Sequence, residues 1–161
     1  MGRILASVCH GDLSLIKQLI EDDDIDEFVR SACFHSLITL YVEGELERKT
    51  ILEYLKSLFH GKLSRKNHYI WASLVVTCND IYATSLMDEI RIAFDEKLLL
   101  EDVIDLDYIA KTFSRNEDEV LSELYWEHGV IFLQILLRNY KAGQALNRSN
   151  LNQKKLIALR K

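Results

Sequence analysis

Apolar residues recur along this chain at spacings of three and four, in runs broken by single glycines and short acidic turns. That period is the signature of amphipathic helices. Arg3 to His10 reads as a short helix carrying Ile4, Leu5 and Val8. Gly11 ends it, and Asp12 caps a second helix, Leu13 to Glu21, with Leu15, Ile16, Leu19 and Ile20 on its buried face. Asp26 is placed to cap a third, from about Glu27 to Val42, whose stripe is Phe28, Val29, Ala32, Cys33, Ser36, Leu37, Leu40 and Tyr41. Gly44 stops it. A fourth, from about Arg48 to Phe59, carries Ile51, Leu52, Leu55, Leu58 and Phe59, and Gly61 closes it.

The pattern then restarts. Asn67 caps a helix with Tyr69, Ile70, Ala72, Ser73, Val76 and Ile81, and Thr84 or Ser85 caps the next, with Leu86, Met87, Ile90, Ala93 and Phe94. Shifted by 35 positions, Ile51, Leu55, Phe59, Lys62 and Leu63 fall on Leu86, Ile90, Phe94, Lys97 and Leu98. Shifted by 40, Ala32 falls on Ala72 and Phe34 on Leu74. Self-similar helix pairs of this length mark stacked-repeat architecture. Beyond Leu98, Asp105 or Asp107 caps a short helix, Tyr108 to Phe113, and a long one runs from about Glu117 to Tyr140. The expected fold is all-α, with eight or nine helices in a HEAT-like, α-solenoid stack of antiparallel hairpins. Residues 1–140 form a single helical-repeat domain and 141–161 a basic tail with a short terminal helix.

Composition supports the helical reading. The 161 residues contain 6 glycines and no proline, too little punctuation for a sheet protein. Net charge is −5, unevenly spread: the first 137 residues hold all 25 acidic residues and net −12, while Arg138, Lys141, Arg148, Lys154, Lys155, Arg160 and Lys161 follow without an acid. An acidic body repels nucleic acid and anionic membranes. The odd cysteine count and the lack of a long apolar N-terminal run suggest reduced thiols in the cytoplasm.

Several residues resemble a known family. The run from Arg3 to Phe59, with Gly11-Asp12 between two short helices, Val29-Arg30-Ser31-Ala32 opening a long one and Glu43-Gly44-Glu45 between paired helices, is similar to the bacterial domain of unknown function 1186. So is the segment around Trp71, Asn79 to Tyr82 and Glu89 to Arg91. The resemblance covers roughly residues 2–113. It implies HEAT-type helical repeats and no established activity. Many members carry a cysteine-rich, metal-binding C-terminal tail; no cysteine follows Cys78 here, so no zinc function is expected. Members usually have sequence ahead of the Arg-Ile-Leu-Ala stretch, which makes a short or truncated member the expectation.

No catalytic set stands out. Cys33 and His35 lie two apart on a helix and face different sides. His10, His35, His60, His68 and His128 are scattered and no Cys-x-x-Cys pair exists, so no metal is expected. Asp22 to Asp26 fails the calcium-loop pattern, which needs glycine at its sixth position and glutamate at its twelfth, where Glu27 and Cys33 stand. Phosphate-binding and nucleophile-elbow motifs are missing, so no cofactor is expected. The binding candidates are aromatic and charged: Trp71 and Tyr69, with Tyr82 and Trp126, for which core packing is the favoured alternative; the acidic turn Glu43, Glu45 and Glu47; and Arg30, Arg91 and Lys97, which either line a groove or pair with neighbouring acids. The apolar run holding Val130, Phe132, Leu133 and Leu136 is either a core helix or a homodimer contact. The expected function is a non-enzymatic scaffold that presents an acidic, aromatic-edged face to a protein or peptide. Nucleic-acid binding through the basic tail and an enzyme with a dispersed active site are the alternatives.

Overall fold

The structure, a computed structural model, describes residues 13–99 and 104–128. The chain divides into two compact units, Met1–Tyr125 and Trp126–Lys161. Of the second, only residues 126–128 are described, and they are helical. The rest of this account concerns the first unit.

Every regular element among the described residues is helical, without a strand. α1 is Leu13–Glu21, α2 Glu27–Val42, α3 Arg48–Ser57, α4 His68–Asp80, α5 Met87–Asp95 and α6 Leu106–Phe113. α7 begins at residue 117. A five-residue π-helical turn, Leu58–Lys62, extends α3, so the helix expected to reach Phe59 changes winding after Ser57. A single 3₁₀ turn, Thr84–Leu86, precedes α5.

α2 and α4 form the centre. Their burial runs nearly all the way round, as expected of helices covered on several sides. Polar positions survive there because the Ser36, Thr39 and Thr77 hydroxyls donate to the carbonyls of Ala32, His35 and Ser73 one turn back. Both helices start on side-chain caps: Asp26 accepts from Phe28 N and Val29 N, and Asn67 from Tyr69 N and Ile70 N. The two run side by side in the same direction. Asn67 donates to Glu27 at 2.9 Å, Phe28 meets Tyr69 edge-to-face at 5.5 Å, and Ser73 donates to Ser31 at 3.0 Å, so start lies against start. α1 packs on α2, and α3 and α6 each pack on α4.

Three helices end in one motif. At the end of α2, Gly44 N bonds Tyr41 O and Glu45 N bonds Leu40 O; at the end of α4, Tyr82 N bonds Asn79 O and Ala83 N bonds Cys78 O; at the end of α5, Lys97 N bonds Phe94 O and Leu98 N bonds Ala93 O. This is the Schellman arrangement, which puts one residue in the left-handed region. That residue is Gly44 at φ +76 but Tyr82 and Lys97 at φ +54.

The burial of the repeated positions matches across the 35-residue shift. Ile51, Leu55 and Leu63 are buried, as are Leu86, Ile90 and Leu98, while Phe59 and Phe94 are both half-buried. Three expectations are corrected. Leu15 lies 46% exposed, because α1 needs only Ile16 and Ile20 to pack. Phe28 is 64% exposed, outside the stripe of α2. Neither Thr84 nor Ser85 caps α5; its cap position is Leu86, with no side-chain bond.

Candidate interaction surface

The turn after α2 is exposed and acidic: Glu43, Glu45 and Glu47 all face solvent. Gly44 makes it tight enough that α3 begins at once with Arg48, whose guanidinium reaches 33 and 69 residues along the chain. Its Nε donates to Ile81 O at 2.8 Å, Nη2 to Tyr82 O, and Nη1 to Glu117 Oε1 at 2.5 Å. The first two acceptors are carbonyls at the C-terminal end of α4, where the helix leaves them without intrahelical donors and with partial negative charge. The third opens α7. Asn116 caps that helix by accepting from Asp118 N and Glu119 N, and Glu117, Asp118 and Glu119 form its exposed first turn. One guanidinium thus joins an acidic turn and an acidic helix start.

Tyr82 fixes the neighbouring corner. Its left-handed backbone aims the ring at the end of α6, where the hydroxyl donates to Arg115 O at 2.6 Å with Phe113 O 3.0 Å away, and the ring meets Phe113 edge-to-face. Beside this corner Tyr41 of α2 meets Tyr125 of α7 at 5.6 Å between ring centroids. Burial, then a hydrogen bond with Tyr125, pushes the Tyr41 hydroxyl up to about 12. Tyr125 itself is exposed. The surface therefore carries acids from two elements, two aromatic rings, and the Arg48 guanidinium, with Arg115 paired to Glu123 along α7.

The seven residues expected to bind a partner do not form one surface. Arg30 and Trp71 are each 2% exposed, which removes them as partner contacts. Arg30 is drawn inside by Ile20 O, at the end of α1, and by Asp23, each 3.0 Å from a guanidinium nitrogen. Trp71 donates its indole N–H to Ser64 O at 2.9 Å and packs on Phe59, as buried indoles with a partner do. Tyr69 is half-buried beside Phe28, at the end of α2 remote from Glu43. Thirteen helical residues separate Arg30 from Glu43, about 20 Å. Arg91 lies exposed on α5, 3.4 Å from Asp88. Tyr82 is a corner post rather than a contact. Trp126, in the second unit, is exposed, while Val130, Phe132, Leu133 and Leu136 lie outside the described residues. Sequence reasoning missed Arg48, Glu117, Asp118 and Glu119. The start of α7 was readable from Asn116 and the acids behind it, but its meeting with Arg48 was not. Among the described residues no group of three or more His, Cys, Asp or Glu side chains is arranged to hold a metal ion.

A family model described as a protein of unknown function, DUF1186, matches residues 1–142. The chain belongs to this family. Two similar relatives are chlamydial proteins described as uncharacterized. One, from Chlamydia trachomatis serovar D, is 35% identical over 99 residues, 62% of this chain and 39% of the relative. The other, from Chlamydia muridarum, is 30% identical over 126 residues, 78% of this chain and 50% of the relative. The chain spans half the length of these relatives or less. No solved structure matches it.

Proposed function

We propose that this DUF1186 chain is a non-enzymatic, cytoplasmic protein–protein interaction scaffold built from stacked HEAT-like hairpins. Contact directions support the stack. α3 opens at the end of α4 through Arg48 and closes beside its start through Phe59 and Trp71, so those two helices run in opposite senses. α1, α3 and α5 run in one sense, since Lys17 pairs with Tyr54 and Glu21 with Lys62, then Lys56 with Glu89 and Arg65 with Glu96. One set of parallel helices, α2 and α4, beside another, α1, α3 and α5, is what a stack of antiparallel hairpins would require, and this supports the reading.

The observation that carries the functional reading is the convergence at Arg48. Arg48 leaves the exposed acidic turn of Glu43, Glu45 and Glu47 and pairs with Glu117 in the exposed acidic first turn of α7, with the Tyr41–Tyr125 ring pair nearby. Such a face suits a basic protein segment, recognised by charge and shape without chemistry. The same acids disfavour nucleic acid, whose phosphates they repel.

The test is affinity capture from source-cell lysate, with and without nuclease, using the native chain and a variant with Glu43, Glu45 and Glu47 all changed to Lys. A protein partner that survives nuclease and is lost with the variant supports the reading. Undiminished capture by the variant removes this face. A nuclease-sensitive partner lost on deleting residues 141–161 would favour the basic tail instead.

A further inference from the structure

α5 and the π-helical turn after α3 enclose a cleft of about 190 Å³. Its floor is Phe59, Ala93 and Leu98, with the Trp71 indole beneath and Ile92, 53% exposed, on the lip. The volume falls below the roughly 300–1,000 Å³ of a site for a drug-sized ligand and a little above the roughly 150 Å³ apolar cavity that takes one benzene ring. A single ring or a short alkyl stem fits.

Two carboxylates stand at the wall, Glu89 of α5 and Glu96 just past its end, and they differ. Glu96 meets Arg65 at 2.5 Å, a close charge-assisted contact, so neither group calls for a ligand. Glu89 is the most enclosed charge of the cleft. Its side chain is 16% exposed, and its charge reaches the wholly buried Cys78, whose thiol pKa is raised most by burial and next by Glu89. The cations that meet Glu89 stand outside and far off. Lys56 is 3.9 Å away and His60 3.4 Å, both at Oε1 and both more than half exposed, against about 2.7–2.9 Å for a close pair. Among the described residues no hydrogen-bond donor reaches Oε2. Arg91, the cation of α5 itself, is turned to Asp88 outside the cleft.

A carboxylate at an apolar wall gains most from a cation that approaches from the apolar side, where water is scarce and charge-assisted bonds are stronger. Lys56 and His60 reach Glu89 from the solvent side, and exposed pairs of this kind contribute little. A ligand's ammonium can displace them while its stem covers the apolar floor. An anion in the cleft would face Glu89, and a zwitterion would find Arg65 already taken.

We infer that the cleft binds a primary ammonium carried on a short apolar stem, with the ammonium at Glu89 and the stem against Phe59 and Ile92. Arg48 opens α3 and this cleft lies past its end, so the site stands or falls independently of the acidic face.

The probe is 2-phenylethylamine, with 2-phenylethanol as the uncharged control of the same shape. Each is titrated into the full chain carrying Trp126→Phe, so that Trp71 alone reports by fluorescence. The amine should bind about tenfold or more tightly than the alcohol. Glu89→Gln should bring the two within about twofold of each other. Lys56→Gln, at an exposed position, should tighten amine binding by removing a competitor for Glu89. Nα-acetyl-lysine amide tells the source of the ammonium: affinity equal to that of 2-phenylethylamine assigns a protein's lysine, and weaker affinity a free amine. Equal affinity for amine and alcohol, or no amine binding at about 10 mM, overturns the proposal without any of these substitutions at the cleft. So does undiminished amine binding to Glu89→Gln, or unchanged affinity in Lys56→Gln, with the melting curve intact.

Discussion

Replacing Arg48 by Met tests the corner on which the candidate surface rests. Met keeps the apolar stem in place and removes the donors. The guanidinium is about a quarter exposed and makes two bonds to helix-end carbonyls and one ion pair to a half-exposed carboxylate. A hydrogen bond from a charged donor contributes about 1.5–3 kcal/mol, and the partial exposure favours the lower figure, so the two carbonyl bonds come to about 3 kcal/mol. An exposed ion pair adds about 0.5 kcal/mol. The expected loss is therefore about 3–4 kcal/mol, read by urea unfolding, with a fall of roughly 10 °C in melting temperature. Glu117→Gln removes only the ion pair and should cost under about 1 kcal/mol. The reasoning fails if Arg48→Met lies within about 1 kcal/mol of the native chain. It also fails if Glu117→Gln costs as much, because the ion pair and not the carbonyl bonds would then hold the corner.

The helix ends give a pair of opposite sign. Gly44→Ala meets no atom within 4 Å but must hold φ +76, and should destabilise by about 1 kcal/mol in the same assay; Lys97→Gly relieves the same strain at φ +54 and should be neutral or stabilising by up to about 1 kcal/mol. Tyr41 sets an alkaline limit. Its neutral hydroxyl is favoured in the fold, so its contribution is complete below about pH 10, where an unfolded tyrosine ionises, and is lost as pH rises toward about 12. Tyrosinate absorbance should show a late-titrating group that disappears in Tyr41→Phe, and that variant should lose less stability over the same interval.

The helices were legible where their signals were local. Asp26 and Asn67 announce their helices because a capping side chain acts within three residues of itself. The burial of Ile51, Leu55 and Leu63, and of Leu86, Ile90 and Leu98, was legible because burial follows periodicity. Gly44 announced its stop, but Tyr82 and Lys97 adopt the same left-handed backbone and carry no sign of it in the sequence. Trp71 and Arg30 show why the binding residues were harder. A large aromatic or a cation at the edge of a stripe reads the same whether a carbonyl awaits it inside, as Ser64 O and Ile20 O do, or water outside. Arg48 gave no signal at all, since its acceptors lie 33 to 69 residues away.

The shared direction of α2 and α4 has an electrostatic consequence. Parallel helices add their dipoles, so one end of the pair gathers partial positive charge and the other partial negative. Asp26 and Glu27 sit at the positive end and are offset by it. Glu43, Glu45 and Glu47 sit at the negative end, where the backbone reinforces their charge, while the Arg48 guanidinium meets the carbonyls of Ile81 and Tyr82 and the carboxylate of Glu117. The free chain bears that repulsion as a standing cost. A cationic ligand settling there would relieve it and add RT ln(1 + [L]/Kd) to the unfolding free energy, so the occupancy of the surface and the stability of the fold rise together.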